Sequence, residues 1–278
     1  MFQDLDLRAE VISAICGQKV KPSDTETCKT RANVLSFDEF HLHQCLRNLQ
    51  PHVGYLEDEK EILDPPQHYS SYLSDSAGCG KYFGIVQGHL KKVEIELFID
   101  EKDFFDPQYD YDFTQLSDSA ECMRGGEPYK RPIGWYRMAL KVKDKYPDGN
   151  TWLGSKGWRS HSVAGEWPVS YHGTSSDGAK GIINSQYMAG DGAVYGRGIY
   201  STPVLAESEN YAKIFQSKKT GKSYKVILQN RINPERREVC RRSDYWLIPV
   251  VAGTSASEEK EIVEGAIRPY GILIQEMK

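Results

Sequence analysis

The amino-acid sequence predicts an α+β fold, in which short strands are combined with short helices. Two observations support this prediction. Alternating apolar and polar residues recur in segments of strand length, and apolar residues at helical spacing occupy short segments elsewhere in the chain. Glycines interrupt the chain where two of the predicted strands begin or end, and a glycine needs no room for a side chain there.

The predicted elements are unevenly distributed along the chain. The N-terminal part contains two segments with helical spacing: Leu7, Val11, Ile12 and Ile15, and then Leu42, Cys45, Leu46 and Leu49. Residues 70–81 are rich in Ser, Gly and Asp, which is typical of a loop. Strands are predicted over residues 93–99, 135–142, 168–172, 223–229, 245–250 and 270–275, with one more entering Ile199 and Tyr200. Short helices are predicted over residues 177–183 and 204–215.

The composition is that of an ordinary globular protein. Hydrophobic residues make up 39% and charged residues 27% of the 278 residues, enough to bury a sizeable core. No apolar run approaches the about 20 residues that a membrane-spanning helix needs, so no membrane association is expected. The acidic start of the chain is unlike a secretory signal. A net charge of −4 argues against a globally basic nucleic-acid binder.

The six cysteines are scattered, without a Cys-x-x-Cys pair. This pattern indicates reduced thiols and an intracellular protein, either cytoplasmic or nuclear. His41 and Cys45 have a spacing that occurs in zinc sites, but two ligands are too few and a place at the edge of the core is favoured. No metal site is therefore predicted.

Two glycine-containing motifs predict the walls of a nucleotide pocket. They are Tyr171-His172-Gly173-Thr174 and Tyr195-Gly196-Arg197-Gly198-Ile199-Tyr200. Each motif lies at a predicted strand, and each glycine removes a side chain so that a flat ligand can lie against the backbone. Taken singly, either motif occurs by chance, and His172 is then more simply a strand histidine.

Together with the later Ser208-Glu209-Asn210-Tyr211, the two motifs resemble the diphtheria-toxin-like ADP-ribosyltransferases, the branch of the poly(ADP-ribose) polymerases. The resemblance covers roughly residues 165–277. It implies the ADP-ribosyltransferase fold, with two packed antiparallel-rich sheets and short flanking helices. Residues 91–278 would form the catalytic domain, and residues 1–90 an N-terminal extension of unknown role.

The resemblance also implies a substrate, NAD, and a set of roles. His172 would hydrogen-bond the adenosine-ribose hydroxyl, and Tyr200 and Tyr211 would enclose the nicotinamide. The catalytic residues would be His172, Tyr200 and Asp244, and Asp244 would supply the carboxylate. The implied NAD-binding residues are Tyr171, Gly173, Thr174, Tyr195, Gly198, Ser208 and Tyr211. The bland alternatives are that the tyrosines are core residues and that Asp244 is a surface acid in a turn.

The family has a glutamate where this chain has Asp244, whose side chain is one methylene shorter. A misplacement of about 1 Å costs on the order of a hundredfold in rate, so mono-ADP-ribosylation is favoured over chain elongation. Glu238 or Glu264 are alternative carboxylates. A module that binds NAD or ADP-ribose without turnover is the alternative function. Phosphotransfer from a 2′-phosphorylated RNA is a third, which requires several arginines to converge on the phosphate.

Charge is distributed unevenly along the chain. Residues 213–242 are rich in Lys and Arg, and this basic segment predicts either a solvated face or a docking surface for an acidic protein or nucleic-acid acceptor. Between Asp100 and Asp112 the sequence interleaves five aspartates with aromatic residues. This acidic segment is either an exposed loop or a lid that docks onto the basic segment.

Overall fold

The computed structural model describes residues 2–30, 33–46, 83–86, 89–92, 96–117, 122–157, 159–173, 195–241 and 244–277. The helices in these ranges are α1 Leu5–Cys16, α2 Thr25–Thr30, α3 Phe37–Leu46, α4 Glu101–Phe104, α5 Leu205–Glu209 and α6 Ala256–Ala266. The strands are β1 Val20–Ser23, β2 Phe83–Val86, β3 His89–Lys92, β4 Leu97–Asp100, β5 Tyr111–Asp112, β6 Cys122–Arg124, β7 Glu127–Tyr129, β8 Tyr136–Ala139, β9 Val169–Gly173, β10 Gly198–Ser201, β11 Lys213–Gln216, β12 Ser223–Ile232, β13 Glu238–Val239, β14 Trp246–Pro249 and β15 Ile267–Glu276. Most strand pairs are antiparallel, and the predicted α+β class is confirmed.

The long strands β12 and β15 form the centre of the larger sheet. Its order among the described strands is β11-β12-β15-β8-β5, and β9 pairs with β12 on the same edge as β11. Successive residues of a strand face opposite sides of the sheet. Val226 and Ile274 therefore lie in one hydrophobic cluster, whereas Ile227 and Leu273 lie in another. The strand predictions over 223–229 and 270–275 are confirmed, and both strands extend further than predicted.

Helix α1 closes one face of this sheet. Leu7, Val11, Ile12 and Ile15 are fully buried at the predicted helical spacing, in one cluster with aliphatic residues of β12 and β15. The helix begins after Asp4, whose carboxylate accepts hydrogen bonds from two backbone N–H groups of the first turn, as N-cap residues do. The extension and the C-terminal part thus share a core. The division of the chain near residue 90 stays a prediction.

The smaller sheet has the order β10-β14-β13 among the described strands. Its strand β10 adjoins β9 of the larger sheet, because the main chains of Tyr171 and Thr202 exchange two hydrogen bonds of 2.7 and 3.0 Å. This junction brings the two sequence motifs together. Strand β10 itself begins at Gly198, where the glycine motif predicted a strand.

The predicted helix over residues 204–215 is wrong in its second half. Helix α5 ends at Glu209, and Lys213–Gln216 is instead β11, which pairs with Ser223–Val226 of β12. The turn that joins the two strands contains Gly221 at φ 71°, a backbone conformation that favours glycine. The predicted helix over 177–183, the predicted loop over 70–81 and residues 93–95 of a predicted strand lie outside the described residues.

Two aspartates of the acidic segment have partners outside the basic segment. Asp110 is paired with buried Arg8 of α1, and it also accepts hydrogen bonds from the Tyr136 hydroxyl (3.0 Å) and the Ala139 backbone N–H (2.8 Å). Asp100 accepts a hydrogen bond from the Lys102 backbone at the start of α4. Asp110 therefore attaches the N-terminal helix to the sheet, and the lid prediction is wrong for these two aspartates.

Candidate functional site

His172 connects the two motifs directly. It lies on β9, where its neighbour on β12 is Leu228, and its side chain is buried. Its Nδ1 atom is 2.7 Å from the main-chain oxygen of Tyr200 on β10. The two predicted walls of the pocket are therefore in contact at the junction of the two sheets.

The hydrogen bond to Tyr200 determines the tautomer of His172. A carbonyl oxygen can only accept, so Nδ1 carries the proton and donates. Burial lowers the pKa of His172, although the hydrogen bond to Tyr200 opposes this effect. The ring is therefore neutral at pH 7, and its Nε2 atom has the lone pair of a hydrogen-bond acceptor.

The hydroxyl of Tyr200 closes the second motif into a compact loop. It donates to the main-chain oxygen of Gly196 at 2.7 Å and accepts from the backbone N–H of Tyr195 at 3.1 Å. Gly196 has φ 109°, a backbone conformation that residues other than glycine rarely adopt. Tyr195 and Tyr200 thus have a shared structural role in forming this loop, whatever ligand lies beside it.

Gly173 and Gly198 are required by close packing within the protein. A Cβ atom at Gly173 would lie 2.6 Å from the carbonyl carbon and 2.5 Å from the carbonyl oxygen of Tyr211. A Cβ atom at Gly198 would lie 2.5 Å from Leu247 Cδ1, and closer still to the Ile248 oxygen. The space that a side chain would take is filled by protein at both positions. The sequence interpretation, in which the glycines leave room for a ligand, is corrected on this point.

The Ser-x-x-Tyr motif lies on and just after α5. Ser208 is buried, and its hydroxyl donates to the Leu205 carbonyl at 2.7 Å within the helix. The backbone N–H of Tyr211 bonds the Ser208 carbonyl and ends the helical turn. The structure brings Tyr211 against Gly173, so the third motif joins the first two.

Tyr171 has a different environment from His172. Its side chain is in the hydrophobic cluster with Trp135 and Ile227, and its hydroxyl donates to the Lys130 carbonyl at 3.3 Å. Alternate residues on β9 face opposite sides, so the Tyr171 ring lies on the face away from His172. Tyr171 supports the strand rather than lining the space beside His172. Thr174 lies outside the described residues.

Asp244 lies in the turn between β13 and β14 and is half-buried. The turn is closed by a hydrogen bond from the Cys240 backbone to the Tyr245 carbonyl. Burial raises the pKa of the Cys240 thiol, and the negative charges of Glu238 and Asp244 raise it further. Burial raises the pKa of Tyr200 most, the hydrogen bond from the Tyr195 backbone lowers it, and neighbouring Cys240 raises it. Asp244 and Tyr200 thus share Cys240 as a neighbour.

The structure separates the two alternative carboxylates. Glu238 pairs with Leu247, which pairs with Tyr200, so the three residues form one row across the smaller sheet. Glu264 is on α6, where burial raises its pKa and where Lys260, Asp38 and Arg268 are its charged neighbours. Glu238 therefore remains an alternative to Asp244, whereas Glu264 belongs to another part of the molecule.

Tyr245 and Glu207 belong to the site but were missed from the sequence. The Tyr245 hydroxyl donates to Glu207 Oε2 at 3.0 Å, and Tyr211 is a close neighbour that raises the pKa of Tyr245. The signal was present in the sequence, since Tyr245 follows Asp244 and Glu207 precedes Ser208. The motifs do not specify which residue type stands at either position, so only the fold reveals the contact between Tyr245 and Glu207.

Several charges of the basic segment have acidic partners within the protein. Arg231 is buried and pairs with Glu166 at 3.0 Å, and Arg237 lies over the ring of Trp246 and pairs with Glu127. Three of its lysines are in ion pairs with acidic residues elsewhere in the fold: Lys219, Lys222 and Lys225. The docking of an acidic protein or nucleic-acid acceptor on this segment stays a prediction.

Arg197 also has its partners within the protein. Its guanidinium donates to the carbonyls of Val250 and Val251 and to Glu259 on α6, at distances of 2.8 to 2.9 Å. Arg231 and Arg237 have partners within the protein as well. The phosphotransfer alternative thus loses these three arginines, whereas Arg236 and Arg241 are exposed, so the alternative stays a prediction.

A cavity of ≈ 290 Å³ opens beside the loop of the second motif. Gly196, Arg197, Glu238, Leu247 and Val251 are among the residues that line it. The walls combine apolar side chains, among them Val251, which is 75% exposed, with the carboxylate of Glu238.

Within the described ranges, no cluster of three or more His, Cys, Asp or Glu side chains is suited to holding a metal ion. The helices described there also include none with the length and apolar character to cross a bilayer. A scan against protein-family models and a search of curated proteins both find no match to this chain.

Proposed function

We propose that this protein is an NAD-dependent mono-ADP-ribosyltransferase with the ADP-ribosyltransferase fold. The observation that carries the proposal is the hydrogen bond from His172 Nδ1 to the Tyr200 carbonyl. Two motifs that the family resemblance selected independently are joined by this bond. An intracellular location, which the cysteines predict, would supply NAD.

In this proposal NAD lies across the junction of the two sheets. The neutral His172 ring accepts a hydrogen bond from an adenosine-ribose hydroxyl at Nε2, and the rings of Tyr200 and Tyr211 enclose the nicotinamide. The bond between the ribose and nicotinamide breaks, and its electron pair leaves with nicotinamide. The acceptor forms a bond to the same ribose carbon, and Asp244 takes its proton. The cavity beside Glu238 offers the acceptor, a protein or a nucleic acid, a route to this carbon.

The position of Asp244 in the chain and the length of its side chain support transfer of a single ADP-ribose. The residue lies in the turn before β14, and its side chain is one methylene shorter than glutamate. The Asp244→Glu substitution should restore that reach and raise turnover by about tenfold to a hundredfold, because rates are this sensitive to a misplacement near 1 Å. A lower rate in this variant would show that the turn is already adapted to aspartate.

A binding module without turnover is the second candidate. It is favoured by the use of the Tyr200 hydroxyl within its own loop, where both of its hydrogen bonds are to main-chain atoms. In such a module His172 still binds the dinucleotide, whereas Asp244 has no chemical role.

The test is nicotinamide release from NAD by the wild type and by the His172→Ala and Asp244→Ala variants, with protein and nucleic-acid acceptors added in turn. The exposed His161 provides a matched control, His161→Ala, which should behave as the wild type. Loss of release in both site variants supports the transferase. Loss in His172→Ala alone would assign the role of the catalytic carboxylate to Glu238 instead of Asp244. Binding of NAD by the wild type without release of nicotinamide would favour the binding module.

A further inference from the structure

Tyr245 joins the turn of Asp244 to helix α5. Its hydroxyl is 3.0 Å from Glu207 Oε2, and all three residues are half-buried. Burial raises the pKa of Tyr245, and its neighbours Tyr211 and Glu207 raise it further, so the phenol keeps its proton at pH 7. The bond is thus between a phenol donor and a carboxylate acceptor, a strong type of hydrogen bond.

Glu207 and Tyr211 lie on and just after the same short helix. The backbone N–H of Tyr211 bonds the Ser208 carbonyl at the end of α5. A hydrogen bond that holds Glu207 therefore also holds the segment that carries Tyr211.

The segment of Tyr211 is therefore held at two places. The main chain of Tyr211 packs against Gly173 next to His172, and α5 before it is bonded through Glu207 to the residue that follows Asp244. We propose that Tyr245 and Glu207 are positioning residues, which fix the segment of Tyr211 and the turn of Asp244 relative to His172. This inference rests on the proposed function, and it adds two residues whose effect is exerted through Tyr211 and Asp244.

The experiment compares the kinetics of two matched phenol deletions. Tyr245→Phe removes the hydroxyl that links the turn of Asp244 to Glu207 on α5. Tyr136→Phe removes a hydroxyl with the same 3.0 Å bond to a carboxylate, that of Asp110, away from the site. Nicotinamide release should show kcat lowered by about tenfold to a hundredfold in Tyr245→Phe, with a smaller change in KM, because the reacting groups are misplaced. Tyr136→Phe should stay within about twofold of the wild type, because its bond supports stability alone.

Two changes at Glu207 provide the rescue test. Glu207→Gln retains an oxygen that accepts from Tyr245 and should keep most of the turnover, whereas Glu207→Ala should reproduce the loss seen in Tyr245→Phe. An active wild type in which Tyr245→Phe and Tyr136→Phe have equal kcat would overturn the positioning role alone. Equal kcat in Glu207→Gln and Glu207→Ala would do the same. A wild type that releases no nicotinamide would instead overturn the proposed function, and the positioning role with it.

Discussion

The Gly173→Ala substitution would test whether the contact between β9 and Tyr211 matters to the site. Gly173 lies directly after His172, and its Cα approaches the main chain of Tyr211 so closely that no side chain fits between them. The substitution adds one methyl group, and it changes neither charge nor hydrogen-bonding capacity. Its effect therefore reports the position of Tyr211 relative to His172.

The size of the displacement follows from the distances. The new Cβ atom would lie 2.6 Å from the Tyr211 carbonyl carbon, whereas carbon atoms in contact are normally separated by about 3.5 to 4.0 Å. Tyr211 must therefore move by roughly 1 Å, and it is main chain rather than a flexible side chain that has to move. Overpacking of this kind costs about 1 to 3 kcal/mol. The same movement at a reacting centre costs on the order of a hundredfold in rate.

The assay measures thermal unfolding and nicotinamide release on the same protein samples. Gly173→Ala should lower the Tm by about 2 to 4 °C per kcal/mol and lower release far more than that loss of stability explains. Gly265→Ala is the matched control, because the three nearest atoms that its new Cβ atom would meet belong to the movable guanidinium of Arg236. A Gly173→Ala variant with wild-type release would refute the claim that Tyr211 is positioned by this contact.

Acid should destabilise the protein through His41, whose burial lowers its pKa to about 4, while the hydrogen bond to the Ile267 carbonyl opposes this effect. The unfolded ring takes up a proton near pH 6.5 and the native ring does not, so stability is lost as the pH falls from about 6.5 to 4, by about 3 kcal/mol. Urea unfolding over this range should show the slope, and His41→Gln should reduce it; an unchanged slope would contradict the assignment. Glu166→Ala leaves Arg231 buried without its carboxylate and should cost about 3 to 5 kcal/mol in the same assay. Glu96→Ala removes ion pairs to two exposed lysines and should change stability far less, so similar losses in both variants would count against the buried pair.

The strands that carry the site were predictable because their patterns are local. Residues 168–172 alternate as a half-buried strand does, and residues 223–229 contain a short apolar run typical of a buried strand; β9 and β12 are found there. The stretch from 204 to 215 was misassigned because its apolar residues suit a helix equally well. Its second half is a strand because β12 supplies a partner, and pairing between strands is a tertiary interaction that propensity does not report.

The buried charges were beyond local prediction. Arg231 was taken as part of a basic segment, yet its partner Glu166 is 65 residues away in the chain. Asp110 was taken as part of an acidic segment, and its partner Arg8 is 102 residues away. Charge counted along a sequence says little about surface charge when the opposite charges come from distant elements.

In the site itself, the sequence predicted that the two motifs line one pocket, and the hydrogen bond of His172 to Tyr200 joins them. The structural use of the two glycines was not predicted, because a glycine removes a side chain equally well for a ligand or for a neighbouring strand. Glu207 and Tyr245 were missed for a related reason. Their importance lies in a hydrogen bond between residues that are 38 positions apart, and no motif includes both.

The measurement that tests the central claim most directly is the affinity of the wild type for NAD and for NADP, by calorimetric titration, beside His172→Ala. If His172 Nε2 accepts from an adenosine-ribose hydroxyl, NAD should bind and the 2′-phosphate of NADP should weaken binding by about tenfold or more, since a hydrogen bond of this type contributes about 1.4 kcal/mol. His172→Ala should bind NAD more weakly and lose the preference. Equal binding of NAD and NADP by the wild type, or no binding of either, would contradict the account.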